Sequence, residues 1–567
     1  MLTVSKLNTF KSLINEASRE ELVWMNGFLA GIIASGNQEA GEGTEQPFTP
    51  PKPIKVTIAY GTETGNAKSV ATKFAATAKQ KGIQAKAVSL DQYRLTDLQK
   101  EENFIVVIST QGDGEPPVAA KKFYDALHDA SLNLSKLKYG VLGLGDSSYP
   151  MFCQTGKEVD TQLNLRGAQR IIDLETCDTD YEDVAGEWFQ KLMGKLNNTS
   201  VNHNTITSAT AKKAAGKKIY NGTILTNVNL NDTGSKKKTH HIEIGADELA
   251  YEPGDAIGIV PKNSTVLVEN IIALTEVAPT KIIMWRKEND TIANLLKNKI
   301  QLMHLHERVV KQYARIVQQD IPETKIDLIN LLKIYPVKDA AEFEQVLEIL
   351  EPIAPRLYSI SSSPAAHDGE VHITVALDKF SVNEEEKFGF CSDYLTGLEE
   401  GTPVNFYVHQ NKLFRLPDAA EDVIMIGPGT GIAPFRSFLF ERDACGSTGR
   451  NWLFFGDQHF VSDFLYQTEV QSFLDTGVLT KFNGAFSRDQ AEKIYVYHKM
   501  LAHADELFNW IENGANIYIC GAKEPMSIDV ENTLLRIIAD KKNISADAAV
   551  QYLQDLQEAG KYHKDVY

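Results

Sequence analysis

Three apolar runs early in the chain share one rhythm. "IKVTIAY", "NFIVVIST" and "KYGVLGLGD" each lead into a polar, glycine-bearing loop, and helical runs such as "AKSVATKFAATAKQKG" separate them. Strand, loop and helix in alternation predict a parallel, doubly wound sheet with ligands at the carboxyl ends of its strands. This unit spans residues 54–198. A polar stretch over 199–218, rich in Ser, Thr, Asn and Ala, has no hydrophobic period and predicts a flexible tether. From residue 219 to 420 the texture is β-rich, as in "KTHHIEIG", "DAIGIVP", "RLYSISSSP" and "EVHITVAL". A helical insert interrupts it over about 262–353, where "AAEFEQVLEILEPI" is typical. Over 421–567, "DVIMIGPGTG", "NWLFFGDQ" and "NIYICGAK" repeat the strand-then-loop signal and predict a second parallel sheet. Residues 1–53 hold an apolar helical run and a Gly-, Glu- and Pro-rich linker, "ASGNQEAGEGTEQPFTPPKP".

Composition narrows the chemistry. At 567 residues the chain is too long for one core, which agrees with roughly three or four units. A net charge of -17 argues against nucleic acid, whose phosphates reward a basic face. The five cysteines, Cys153, Cys177, Cys391, Cys445 and Cys520, show no CxxC pair or metal-ligand spacing. That suits a reducing compartment and argues against a disulfide framework, a zinc site and an iron–sulfur cluster, so redox chemistry needs an organic cofactor or a second subunit. The run "LVWMNGFLAGIIA" is too short for a membrane span and lacks the flanks of a signal peptide. It is either a helix packed on the body or an oligomer seam.

In "YGTETGNA", Thr62, Thr64, Gly65 and Asn66 stand between a strand and a helix start. Their hydroxyls and main-chain N–H groups suit a monophosphate held without a metal, and an ordinary capped turn is the plainer alternative. "STQGDGEPP" and "LGLGDSSYPMF" leave the next two strands, and Tyr149 offers a face for a flat ring. Together these loops resemble flavodoxin. The resemblance implies that Thr62, Glu63, Thr64, Gly65, Asn66 and Ala67 hold an FMN phosphate. It further implies that Ser109, Thr110, Gln111 and Gly112, with Leu144, Gly145, Asp146, Ser147, Ser148, Tyr149 and Cys153, flank the ring. Gln111 stands where many relatives carry an aromatic residue. The resemblance makes the run "CDTDYED" a third rim of this site, and it is either a solvated acidic loop or a face for a basic electron acceptor.

"PRLYSISSSP" places Arg356 and Tyr358 on one face of a strand, a guanidinium for phosphate and a ring for stacking, with the Ser359 hydroxyl beside them. "FGFCSDYL" follows, with Gly389, Cys391 and Ser392 at a helix start. The pair resembles the FAD-binding barrel of the ferredoxin–NADP reductase superfamily. The implied FAD contacts are Arg356, Leu357, Tyr358 and Ser359; Thr374, Val375, Ala376 and Phe380; and Phe388, Gly389, Phe390 and Cys391. His306 and Phe380 stand where relatives carry hydroxyl-bearing residues. In "MIGPGTGIAPFRSFL", Gly427, Gly429 and Gly431 let the backbone approach a pyrophosphate, and Pro434 opens the next helix. The motif resembles the nicotinamide-binding domain of the same superfamily, with Gly429 and Thr430 at the nucleotide. "SRDQAEKIYV" adds Ser487, Arg488, Lys493 and Tyr495, followed by Tyr497. One hydroxyl and two cations suit a 2′-phosphate, which favours NADPH over NADH. The resemblance also puts Cys520 beside the reacting nicotinamide and Asp529 on the nucleotide.

Taken together, these modules resemble the diflavin reductases, and within them the flavoprotein subunits of assimilatory NADPH-sulfite reductases. The fold so implied is multidomain α/β: a flavodoxin-like FMN domain, an antiparallel β-barrel FAD domain with a helical connecting insert, and a Rossmann-like NADP-binding domain. The activity implied is a cytoplasmic relay from NADPH through FAD and FMN to a partner. That partner is a sirohaem- and iron–sulfur-bearing hemoprotein subunit that reduces sulfite to sulfide. Self-association through the N-terminal segment is also implied, without membrane or nucleic acid. A reductase serving another haem or redox acceptor, or a flavin-binding regulator without turnover, is the alternative. The ending "DVY" acquires a role: Tyr567 would cover the FAD ring, and Asp565, near Ser359 and Cys520, would offset positive charge forming on the nicotinamide.

Overall fold

A computed structural model describes residues 54–63, 65–111, 114–129, 132–146, 151–178, 181–197, 218–286, 288–322, 326–382 and 385–567, and residues 54–567 form one compact unit. The N-terminal segment and its linker, the tether residues 199–217, and the candidates Thr64, Gly112, Ser147, Ser148 and Tyr149 lie outside the described residues.

The first sheet contains β1 (Lys55–Gly61), β2 (Gln84–Ser89), β3 (Asn103–Ser109), β4 (Lys138–Leu144), β5 (Gln169–Arg170) and β6 (Glu175–Cys177). It runs in the order β2-β1-β3-β4-β5 with β6 also on β4, and every pairing is parallel. Phe104 to Ile108 of β3 are all buried, as a central strand covered on both faces requires. On one face the helices Asn66–Gln80 and Tyr181–Asn197 meet through Phe74 and Phe189, stacked at 4.0 Å.

The second sheet begins with β7 (Ile219–Asn229), β8 (Thr239–Ala246) and β9 (Ala256–Ile259). An insert follows that has, among the described residues, five helices and the hairpin β10 (Ile282–Trp285)–β11 (Glu288–Thr291), with its own core around Leu295, Tyr313, Phe343 and Leu347. The sheet resumes with β12 (Arg356–Ser359), β13 (Glu370–Ala376), the small hairpin β14 (Lys379–Val382)–β15 (Glu385–Phe388), and β16 (Pro403–His409). Its order is β12-β9-β16-β7-β8-β13, antiparallel throughout. A bridge between Ile360 and Ile373 ties the two edges and curls it into a barrel.

The third sheet is parallel, β19 (Lys481–Phe486), β18 (Asn451–Asp457), β17 (Val423–Ile426), β20 (Asn516–Gly521) and β21 (Tyr562–Val566), in that order. Only its three inner strands carry the apolar pattern. "KFNGAF" and "YHKDV" are its edges, where one side of the strand is open and polar residues are tolerated. The last residues therefore run as a strand beside β20.

A buried polar network joins the second and third sheets. Arg436, on the helix Ala433–Ala444, donates to both carboxylate oxygens of Glu469 at 2.7 and 2.8 Å and to the Ser361 carbonyl at 2.8 Å. Tyr466 shares hydrogen bonds with Thr374 at 2.7 Å and His241 at 3.0 Å. Among the described residues no helix is long and apolar enough to cross a membrane.

Candidate functional site

Loops at the carboxyl ends of β1, β3 and β4 surround a cavity of about 280 Å3. Asn66, Ser109, Thr110, Leu144, Gly145 and Asp146 line it from the first sheet, with Tyr181 and Glu182; Leu357 and residues 409–413 close it from the second. Gly65, at φ +91°, turns the chain into the helix Asn66–Gln80 and donates its N–H to Thr62 Oγ1 at 3.0 Å. That helix has no acid in its first turn, so its N-terminus is open to an anion. A side chain at Gly145 would come within 2.9 Å of the Cys153 nitrogen, so only glycine lets the loop lie this close. These features fit a flavin monophosphate. Ala67 is buried in the helix, and Gln111 closes a small turn with Glu115. Cys153 sits behind the cavity: it is buried, its thiol donates to the Gly143 carbonyl at 3.4 Å, and burial pushes its pKa up to about 12. Glu63 also turns aside, accepting from Val118 N at 2.7 Å and from Lys523 Nζ at 2.8 Å. Tyr181 and Glu182 belong to the acidic run "CDTDYED", expected as a third rim, and they wall the cavity.

β12 borders this cavity through Leu357 and carries Arg356 and Tyr358 as its other alternating set. Arg356 is exposed and has no hydrogen bond or ion pair among the described residues, a free cation suited to a diphosphate. Burial, and then Cys391, raise the Tyr358 phenol well above its usual range; burial pushes the Cys391 thiol up to about 11. Ser392 is spent on the local turn, donating to the Gly389 carbonyl at 3.0 Å and accepting from Asp378 N at 3.2 Å. Through Asp378, whose carbonyl accepts the Gly389 N–H at 2.9 Å, this turn adjoins a second cavity of about 660 Å3. Ala376 and Phe380 line that cavity, whereas Thr374 and Val375 point into the protein and do not reach it. Phe388 and Phe390 are half-buried beside the turn. Phe380 meets the His304 ring at 5.4 Å, and His306 lies 3.2 Å from Glu351. The lining of this second cavity joins one aromatic ring, Phe380, to four lysines, Lys236, Lys237, Lys238 and Lys379, and two carboxylates, Asp378 and Glu386; a ring face beside cations suits an adenine-bearing flavin.

In the third sheet, a Cβ on Gly431 would lie 2.2 Å from the Cys520 carbonyl oxygen, and one on Gly427 2.4 Å from that of Gly431. The tight turn this allows presents Gly429, at φ +57°, and Thr430 at the sheet's carboxyl edge. Ser487 is held by its N–H to the Asp457 carbonyl at 2.9 Å, and Arg488 by its own to Gln458 at 2.9 Å. The Arg488 and Lys493 side chains are exposed without ion pairs among the described residues, beside Tyr495, whose ring stacks on Tyr497 at 5.9 Å. Asp529 stands in the first turn of the helix Ile528–Lys542.

The C-terminal strand draws these parts together. Asp565 pairs in register with Cys520, and Ser359 donates to its carboxylate at 3.2 Å. Burial raises the Asp565 pKa to about 6, with Ser359 opposing the rise. The Cys520 thiol is driven well above its usual range by burial and then by Asp565, so it is neutral. Tyr567 donates its N–H to the Gly521 carbonyl at 3.1 Å, and its hydroxyl pairs with Thr430 Oγ1 at 2.8 Å. The candidates Ser359, Cys520, Asp565 and Tyr567 thus meet at one junction between the second and third sheets.

Among the described residues one group has the composition of a metal site: His241, Glu243 and His372 bring ligand atoms within 4.8 Å of one another. Arg436 argues against a cation there, since its guanidinium lies 3.2 Å from His372 Nδ1. Burial, and then Arg436, depress both histidines, His372 to about 2, so they join the sheets as neutral hydrogen-bonding rings.

Comparison with known proteins places three families along the chain: flavodoxin over residues 58–188, an FAD binding domain over 291–394 and an oxidoreductase NAD-binding domain over 425–532. The three cofactor modules are thus FMN-, FAD- and NAD(P)-binding. The chain is 38% identical to the sulfite reductase (NADPH) flavoprotein alpha-component of Bacillus subtilis (strain 168), over 98% of this chain and 97% of that protein. It is 37% identical to the like-named protein of Shewanella oneidensis, over 100% of this chain and 98% of that one. With that of Vibrio parahaemolyticus it shares 36% identity, over 100% and 95% respectively.

Proposed function

The chain belongs to the family of sulfite reductase (NADPH) flavoprotein alpha-components, and from that premise we propose that it passes electrons from NADPH through FAD and FMN to a hemoprotein component that reduces sulfite to sulfide. The observation that carries the reading is the position of β12. Leu357 lines the cavity of the first sheet, while Ser359 of the same four-residue strand meets Asp565 at the nicotinamide edge of the third.

When bound, the flavins supply two-electron uptake from the reduced nicotinamide and one-electron delivery onward; placement and electrostatics are the protein's part. The phosphate of FMN would rest on Thr62, Gly65 and Asn66, and its ring between Ser109–Thr110, Leu144–Asp146 and Tyr181. For FAD, Arg356 and the main chain at Gly389–Cys391 would hold the diphosphate, Tyr358 the ring, and Ala376 with Phe380 the adenosine end. For the nucleotide, Ser487, Arg488 and Lys493 would grip the 2′-phosphate, Tyr495 the adenine and Thr430 the diphosphate, with Asp529 and Tyr497 nearby. Asp565 supplies a fixed negative charge where the nicotinamide becomes positive, and being pre-placed it costs no reorganisation. Cys520 stays a thiol and packs the floor of that site. Tyr567 must leave Thr430 for the nucleotide to reach it.

The hemoprotein is proposed because these relatives are named as alpha-components. Self-association through residues 1–53, with Leu22 to Ala34 as the seam, and a cytoplasmic site, where free thiols persist, complete the proposal. Mixing the chain, loaded with both flavins, with a sirohaem hemoprotein tests it. NADPH oxidation should become sulfite-dependent and yield sulfide; flavin reduction without any sulfide would refute the acceptor.

A further inference from the structure

The Glu63 side chain poses an electrostatic question. It sits in the loop that, on the proposed function, holds the FMN phosphate, where another negative charge is unfavourable. The structure supplies a countercharge from the third sheet: Lys523 Nζ lies 2.8 Å from Glu63 Oε2, with side-chain exposures of only 38% and 21%. Val118 N fixes the other carboxylate oxygen at 2.7 Å, so Glu63 is aimed rather than free.

Lys523 also grips the end of the chain. Its main-chain N–H donates to the Tyr567 main-chain oxygen at 2.9 Å. Tyr567 in turn clasps Gly521 through its N–H at 3.1 Å and Thr430 through its hydroxyl at 2.8 Å. Among the described residues, Lys412 with Glu182 at 3.1 Å and Arg308 with Met151 Sδ at 2.9 Å also link the first sheet to the rest, and neither involves Tyr567. Among the described residues Lys523 is common to the phosphate loop and to Tyr567.

We propose that Lys523 is a positioning residue that couples docking of the FMN-binding part to the hold of Tyr567 over the nicotinamide site. While Glu63 and Lys523 are paired, the segment Gly521–Lys523 is anchored and Tyr567 stays on Thr430. When the FMN-binding part leaves, Glu63 loses its countercharge, the anchor is released and Tyr567 is freer to yield to the nucleotide. Linkage makes this reciprocal: bound nucleotide, by displacing Tyr567, weakens docking by the same factor.

The inference rests on the proposed function, and its test separates the two. NADP+ affinity is measured by calorimetry on the full chain carrying both flavins, whose retention is read from the visible spectrum. Glu63→Gln, although in the FMN loop, should tighten NADP+ binding about five- to tenfold, at the low end of coupling between sites. Lys523→Gln should do the same, and the double variant should go no further than either. Exchanging the charges, Glu63→Lys with Lys523→Glu, should restore the original affinity, as should Lys523→Arg alone. If Glu63→Gln fails to retain FMN, Lys523→Gln and the exchanged pair carry the same test. Unchanged affinity in flavin-replete single variants, or effects that multiply in the double, overturns the coupling. Failure of NADP+ to bind even the unaltered chain would instead refute the nucleotide site.

Discussion

Replacing Asp565 by Asn should move stability and rate in opposite directions. The carboxylate lies in register with Cys520 and accepts from Ser359 at 3.2 Å, and burial lifts its pKa from 3.8 to about 6. At 1.36 kcal/mol per pH unit, that gap opposes ionisation in the fold by roughly 3 kcal/mol. Because the folded pKa is the higher one, the favourable contribution is complete below about pH 4 and is lost as pH rises through about 6. Asparagine stays neutral, so at pH 8 Asp565→Asn should stabilise the protein by about 1–3 kcal/mol, and at pH 4 by almost nothing. The rate should fall, because asparagine can accept from Ser359 but cannot offset positive charge on the nicotinamide. One pre-placed electrostatic partner is worth roughly 3 kcal/mol, or about 100-fold. Anaerobic stopped-flow reduction by NADPH from pH 5 to 8, paired with urea unfolding at pH 4 and 8, reads both effects. The unaltered protein should accelerate through an inflection near pH 6, and the variant should be slow and flat. Equal rates, or a loss of stability at pH 8, would refute the reasoning.

Arg436→Met should cost about 3 kcal/mol or more in urea unfolding, since it strands Glu469 and the Ser361 carbonyl; a midpoint within error of the original would show that the buried network contributes little. Arg488→Ala should lower the NADPH-to-NADH preference in kcat/KM at least tenfold, because a charged hydrogen bond to the 2′-phosphate is worth about 1.5–3 kcal/mol; an unchanged ratio would remove Arg488 from the site. Deleting Tyr567 should mainly tighten nicotinamide binding and relax the preference for NADPH, leaving the pH inflection near 6 in place. Lys412→Glu, at a pair with side chains 51% and 38% exposed, should change interflavin transfer less than about threefold.

How much of this was legible in the sequence depended on whether a local pattern carried it. "IKVTIAY", "NFIVVIST" and "NIYICGAK" declare inner parallel strands by mostly apolar runs, and their glycine-bearing loops mark the carboxyl edge. The edge strands β19 and β21 carry polar residues and gave no such signal. Arg436, within "APFRSF", reads as an ordinary helical residue; only the packing of two sheets buries it. Thr374 and Val375 follow a family motif, yet both are buried and only Ala376 of the three lines the second cavity, a difference of packing that the motif does not carry. Glu63 and Lys523 are 460 residues apart, beyond any periodicity. Asp565 was the exception: its approach to Ser359 and Cys520, expected from the family resemblance and from no local pattern, is where the structure puts it.

The central claim is that one chain carries electrons from NADPH through FAD to FMN, and anaerobic titration of the flavin-replete protein with NADPH addresses it directly. The account predicts bleaching of both flavins by about two equivalents, and by about one in protein depleted of FMN. Bleaching that leaves FMN oxidised, or none at all, would contradict it.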